Sequence, residues 1–405
     1  MLVVAFVAAT AVTAVPVPAV AAIRSEAVQR QAPPQPGWRQ RIDALVGGRS
    51  MSVAIGDGGA FWYRHLSSVE RIPASNEKLL LSMALLARVG SDRVLMTRAT
   101  ATAAPVDGTI DGDLWLVGRG DPEVGPATLD DLASRIVEAG VTRITGSVIG
   151  DTGPFRRDWW ARGWKRYFAA DEVPFPTALT FRGNVGPSGG HIDDPEARAA
   201  AYLTRSLSRR GVRVVEDPAM GAPKGKLVKI AAVGSSEIID ILRRMDVDSI
   251  NFDAEVLGKL LGAETSGIGS IATAAAAIDA YAAANGAPEF RLHDASGLSY
   301  ANRVTVQGIV RLLWAADDEP WVSQLRFALP TGGQGTLEGR LGRVRVRAKT
   351  GTLDEISALS GWVWSRRTGG WVEFSIVSSD MSKDEAVRIE NAIVTLVAAR
   401  ATAPA

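Results

Sequence analysis

Apolar residues recur along this chain with different spacings, and each spacing predicts a different element. From Trp38 to Val46 they fall at helical intervals, which predicts a short amphipathic helix. Ser52-Val53-Ala54-Ile55-Gly56 reads as a strand that turns at Asp57-Gly58-Gly59 into a second one. The dense run Leu79-Leu80-Leu81-Ser82-Met83-Ala84-Leu85-Leu86 follows Pro73-Ala74-Ser75 and predicts a helix that starts at Ser75. From about residue 92 to 235, strand-like runs alternate with one clear helix, Leu129 to Ala139. Helical spacing returns over Ser236 to Met245, Phe252 to Leu261 and Ala272 to Ala284. Val344 to Thr352 alternates apolar and polar positions, as a strand with one buried face does. A hairpin follows, Leu359–Trp364 and Trp371–Val377 around Thr368-Gly369-Gly370, and then a helix from Asp384 to Arg400. A hairpin sheet with a terminal helix lying across it is an α+β layer arrangement, an antiparallel sheet flanked by helices. There is no internal repeat.

Composition narrows the classes. With 405 residues, 46% hydrophobic and 22% charged, the chain can bury a large core and suggests two or three domains. A net charge of +1 gives no general attraction to nucleic acid, and the absence of cysteine excludes disulfides, thiolate catalysis and cysteine-bearing metal sites. His65, His191 and His293 are too few and too dispersed for a metal cage, and read as satisfied or solvent-facing. Residues 1–22 carry no charged side chain, and Ala19-Val20-Ala21 has the small-x-small form of a signal-peptidase site. They read as a signal peptide or an N-terminal membrane anchor, with Pro16 and Pro18 favouring cleavage. Residues 23–37, with Ala32-Pro33-Pro34-Gln35-Pro36-Gly37, read as a stiff linker.

Three short strings carry the candidate chemistry. In Ser75-Asn76-Glu77-Lys78, residues three apart on a helix share a face, so the Lys78 amine lies above the Ser75 hydroxyl. A serine at a helix N-terminus has amides that favour developing negative charge, and a buried lysine can lose its proton near neutrality. Glu77 points elsewhere on the helix and receives no role. In Lys349-Thr350-Gly351-Thr352, the Thr350 and Thr352 hydroxyls share a side of the strand and could hold a carboxylate. Lys349 would bring positive charge to the same anion. Gly351 would let a substrate backbone approach, and the Thr352 N–H could complete an oxyanion hole begun by Ser75. In Ser249-Ile250-Asn251, Ser249 could relay a proton and Asn251 could hold a substrate amide. Each string has an ordinary structural reading: an N-cap, a cap, or a basic edge strand with Arg345, Arg347 and Lys349 at alternate positions. Their ordered occurrence favours a serine acyl-transfer enzyme with a lysine base.

At these residues the chain resembles the D-alanyl-D-alanine carboxypeptidase/endopeptidases, the low-molecular-mass class C penicillin-binding proteins. The resemblance includes Pro73-Ala74-Ser75-Asn76-Glu77-Lys78-Leu79 and Gly112-Asp113-Leu114-Trp115-Leu116-Val117-Gly118-Arg119-Gly120-Asp121-Pro122. It continues through Ser249-Ile250-Asn251-Phe252-Asp253-Ala254-Glu255, Asp294-Ala295-Ser296-Gly297-Leu298-Ser299 with Asn302-Arg303-Val304-Thr305, and Arg347-Ala348-Lys349-Thr350-Gly351-Thr352-Leu353. It implies a penicillin-binding-protein/serine β-lactamase-like transpeptidase domain (38–91 and 236–405) with a smaller accessory domain inserted at 92–235. It also implies that Ser75 is acylated by a D-Ala-D-Ala peptide, with Lys78 as base, Ser249 as relay and Asn251 orienting the acyl side. Lys349, Thr350 and Thr352 would receive the terminal carboxylate, and β-lactams would block the site. No metal or organic cofactor is implied, and the substrate, peptidoglycan, places the catalytic part outside the cytoplasm.

Two features depart from that pattern. Ser249 follows Ser75 by 174 positions (75 to 249), which is short for the family and implies a reduced accessory region. Ile250 stands where a polar residue is more usual. The same interval is too long for a β-lactamase. The rival from another class is a catalytically silent peptidoglycan-binding or scaffolding protein of the same fold, disfavoured because every reactive group is present. Trp159, Trp160, Trp164, Tyr167 and Phe168 form the densest aromatic cluster, and read as the core of a small domain more readily than as a sugar-stacking surface.

Overall fold

The structure, a computed structural model, describes residues 37–403. The predicted leader and residues 23–36 of the predicted linker lie outside the described residues. Among the described residues no helix is long and apolar enough to cross a membrane.

A five-stranded antiparallel sheet joins the two halves of the chain. Its order is Val346–Leu353, Ile356–Ser365, Gly370–Ser379, Met51–Asp57, Ala60–His65. The early strand therefore lies against the late one, with Met51 opposite Ser378 and Ile55 opposite Phe374. Alternation along Met51–Asp57 explains the two layers that cover the sheet. Met51, Val53 and Ile55 pack with Trp38, Ile42 and Val46 and with Ile389, Ile393 and Val397 of the helix Lys383–Arg400. Ala54 faces the other way, toward Val306 and Val310 of the helix Val306–Asp317. The sequence predicts the terminal helix and the hairpin, but not Val306–Asp317 or the shorter helix Val322–Ala328.

Behind that second face lies a helical core. The helix Glu77–Val89 is buried without a break from Glu77 to Leu86, so the apolar run is a whole-circumference core rather than an amphipathic stripe. It packs with the helices Ile238–Asp248, Asn251–Ser266 and Ile271–Ala284. Ile250, apolar where a polar residue is expected, packs against this core.

Residues 94–237 build a second sheet, ordered Val228–Glu237, Val94–Ala101, Leu114–Val117, Val148–Asp151, Ala219–Gly221. The chain enters and leaves through neighbouring strands, Glu237 pairing with Val94, and the expected boundary at 235 falls inside the outgoing strand. The helices Pro126–Glu138 and Pro195–Arg209 share one core with this sheet. The second of these corrects the expectation of a single helix in this region. Its apolar stripe (Ala199, Ala200, Leu203, Leu207) is interrupted by three arginines and two serines, which hides the period.

Candidate active site

Ser75 does not open the α-helix, as expected, but lies in a 3₁₀ turn, Ala74–Asn76, one step ahead of it. Ala74 adopts φ 47°, a left-handed conformation that a side chain disfavours. The turn is held from three sides. Asn76 Nδ2 donates to Ser360 Oγ at 2.7 Å, tying it to the sheet. A Cβ on Gly351 would fall 2.8 Å from Pro73 O and 3.0 Å from Ser75 N, and one on Gly297 would fall 2.0 Å from Ala74 O. Both glycines therefore let backbone approach backbone. The clearance expected of Gly351 for a substrate is used by the serine's own turn.

Lys78, one turn on and fully buried, gathers the site. Its Nζ is 3.1 Å from Ser75 Oγ, and it donates to Asn251 Oδ1 at 2.8 Å and to Ser296 O at 2.6 Å. Burial pushes its pKa from the ordinary 10.5 down to about 8, against the pull of Asp294, Asp246, Glu255 and Glu77. A neutral amine has two hydrogens and one lone pair. With Asn251 and Ser296 taking the hydrogens, the lone pair is left for the Ser75 hydroxyl.

Lys349 approaches from the sheet edge, also fully buried, and donates to Ser249 Oγ at 2.9 Å and Thr350 O at 3.1 Å. Burial, and then the charge of Lys78, lower its pKa to about 7, while Asp246 opposes them. Ser249 closes the helix Ile238–Asp248 in the left-handed conformation, φ 59°. Ala348 N donates outward from the strand to Pro330 O, so by the alternation of an antiparallel edge the N–H groups of Thr350 and Thr352 also face the open edge. Ser75, Ser249, Asn251, Thr350 and Thr352 line one cleft of about 850 Å³. Lys78 and Lys349 lie beneath it, and Gly351 lies against the serine turn.

Several contributors were not legible beforehand. Glu77 is buried and accepts from Asn302 Nδ2, which also donates to Asp294 Oδ1 at 2.7 Å. Burial, then Asp294 and Glu255, raise the Glu77 pKa far above the carboxylate range. Glu255 Oε1 accepts from the amides of Ala295 and Ser296 at 3.0 and 2.8 Å, and Asp294 Oδ2 from Ser299 N at 2.9 Å. These acids fix the loop whose Ser296 carbonyl faces Lys78. Asp246 accepts from Ser82 Oγ at 2.7 Å, and burial raises its pKa to about 7. Glu172 Oε2 is 3.3 Å from Asn251 Nδ2 at the cleft surface.

The aromatic cluster divides. Trp164 and Phe168 are buried with Leu298 and Ile271, while Tyr167 and Phe168 line the cleft and Trp160 is half exposed. The cluster is therefore not the core of a separate small domain. One of its apolar partners, Leu298, lies on the loop whose Ser296 carbonyl faces Lys78. None of the three histidines lines the cleft. Among the described residues, no three His, Asp or Glu side chains converge as a metal site requires.

The sheet flanked by helices is the architecture of the penicillin-binding proteins. Penicillin binding protein 4 of Haemophilus influenzae superposes with a TM-score of 0.77 at 18% identity, covering 88% of this chain and 99% of that one. The chain belongs to the D-Ala-D-Ala carboxypeptidase 3 (S13) family, whose sequence model matches residues 46–175 and 177–400, and is thus a serine-type peptidase. It is 27% identical to the D-alanyl-D-alanine carboxypeptidase of Actinomadura sp. (strain R39), over 89% of this chain and 84% of that protein. It is 29% identical to a carboxypeptidase of Mycobacterium tuberculosis, over 80% of this chain and 74% of that protein.

Proposed function

We propose that this protein is a penicillin-sensitive D-alanyl-D-alanine carboxypeptidase/endopeptidase that cleaves peptidoglycan stem peptides through an acyl-enzyme at Ser75. The observation that carries the reading is the Lys78 amine, buried, lowered toward neutrality and 3.1 Å from the Ser75 hydroxyl. Neutral Lys78 takes the hydroxyl proton as Ser75 Oγ attacks the D-Ala carbonyl. The oxyanion meets the N–H groups of Ser75 and Thr352. The C–N bond breaks, and the proton passes from Lys78, through Ser249, to the leaving amine. Water then hydrolyses the ester. Asn251 orients the acyl side, and Lys349 with Thr350 and Thr352 receives the substrate carboxylate. Lys349 has two of its three hydrogens on Ser249 and Thr350, which leaves one for that anion. A β-lactam enters by the same attack, and the Haemophilus protein has been solved with one bound. Peptidoglycan lies outside the cytoplasmic membrane, so the enzyme works there.

The test is covalent labelling of residues 38–405 with a fluorescent penicillin, read on a denaturing gel beside Ser75→Ala. One band in the wild type and none in the variant is the expected result. A folded wild type that takes no label overturns the acyl-enzyme reading and favours a silent wall-binding protein.

A further inference from the structure

One buried cation takes no part in the chemistry above. Lys259 lies on the helix Asn251–Ser266, two turns beyond Asn251, with 0% of its surface exposed. Its Nζ donates to three main-chain carbonyls, Arg156 O at 3.1 Å, Asp158 O at 2.8 Å and Pro176 O at 3.0 Å. The Asp158 carboxylate lies 2.8 Å away as an ion pair, off the hydrogen-bonding angle. All four acceptors belong to the segment 156–176, and they come from both of its ends. Between them the segment presents Tyr167, Phe168 and Glu172 to the cleft. A lysine whose hydrogens are all used on one loop can neither titrate freely nor meet substrate. It can only fix where that loop runs.

The loop has independent ties, so the lysine is not its sole support. Arg156 N donates to Gly269 O at 2.7 Å, Ile271 N to Asp158 Oδ2 at 2.9 Å, and Trp159 Nε1 to Val173 O at 2.8 Å. Lys259 differs from these in joining the two ends of the loop to each other and to the helix that begins at Asn251.

We infer that Lys259 is a positioning residue for substrate recognition: it clamps both ends of segment 156–176 so that Tyr167, Phe168 and Glu172 form the wall against which the peptide lies beside Asn251. The inference rests on the peptidase reading. It separates two kinds of ligand. A stem peptide long enough to touch the wall depends on the clamp, whereas a small penicillin needs chiefly Ser75, Lys78 and the sheet edge.

The experiment compares Lys259→Met with wild type in steady-state hydrolysis of a D-Ala-D-Ala stem peptide and in acylation by a small fluorescent penicillin. Hydrogen exchange is followed over 156–176. The expected result is a kcat/KM for the peptide reduced at least tenfold, mainly through KM. Penicillin acylation should fall several-fold less, with faster exchange confined to the segment. Lys259→Arg, which keeps the charge and the donors, should recover most of the peptide KM. Equal losses with peptide and penicillin, or no change in KM, would overturn the inference. If Lys259→Met does not fold, Lys259→Gln, which keeps a donor but loses the charge and the reach to both ends of the segment, should shift the peptide KM the same way, and an unchanged KM there also overturns it. A wild type that is not acylated counts against the peptidase reading itself, which keeps the two failures distinct.

Discussion

At the scale of single residues, the proposed mechanism requires opposite protonation states of two buried amines. As the proposed base Lys78 must be neutral, so activity should be lost as pH falls below its pKa of about 8. As the proposed carboxylate receiver Lys349 must be charged, so activity should be lost as pH rises through its pKa of about 7. Second-order acylation by a carboxylate-bearing β-lactam should therefore trace a bell with its maximum between about 7 and 8, its limbs belonging to the pair. Lys349→Arg, whose guanidinium keeps its charge, should lower the rate and remove the alkaline limb. A wild-type rate still climbing at pH 10 would show that the Lys349 charge is dispensable. The pairing of Ser75 with Lys78 could be read beforehand because both lie within four residues of chain. That Lys349 meets Ser249, 100 positions away, could be expected only from resemblance. Glu77 shows the limit. Its helical direction is read correctly, yet its partner Asn302 lies 225 positions on, and no local pattern announces a buried acid there.

Among the elements, the decisive contact is the 3₁₀ turn wedged between Gly351 and Gly297. Gly351→Ala would drive a methyl group toward Pro73 O and Ser75 N, so the strand or the nucleophile must move. Acylation should fall by about two orders of magnitude, a 1 Å displacement of a reacting group being enough for that. The thermal midpoint should move only a few degrees. Gly297→Ala meets Ala74 O at 2.0 Å and also strains a backbone at φ 84°, so it should lose stability as well as labelling. Penicillin labelling and thermal melts of both variants separate the two outcomes. Normal labelling in Gly351→Ala would mean that the turn has slack. Most helices and strands of the sheet and its terminal helix were legible because their periods are strong and their breaks carry Gly, Pro or Asp. The helix Pro195–Arg209 was not, because charged residues fill its exposed face and crowd its stripe. Segment 156–176 was not legible either. Its course is set by Lys259 and by residues 269–271, none of which is near it in sequence.

The molecule as a whole is held together by its central sheet, in which residues 51–65 pair with residues 346–379. The helix Lys383–Arg400 covers that seam, with Ile393 fully buried among strands from both halves. Ile393→Ala should cost about 2–5 kcal/mol of stability, the usual loss for a buried large-to-small change. Urea unfolding would measure it. The fraction still folded should acylate at the wild-type rate, since the change lies on the far face of the sheet. A rate that fell with stability intact would show that Ile393 acts on the site through the first turn of this helix, where Lys383, Asp384 and Val387 line the cleft.

That seam also sets an order in time. A growing chain makes Ser75 and Lys78 early, but the strand that brings Lys349 to the cleft, and the strands between it and Met51–Asp57, come some 270 residues later. Until Gly370–Ser379 has paired with Met51–Asp57, Ser75, the proposed nucleophile, has neither the strand edge nor the second cation beside it. A chain still being synthesised therefore carries the serine without the rest of the site, and its hydrolytic power is withheld until the strand Gly370–Ser379 has been made.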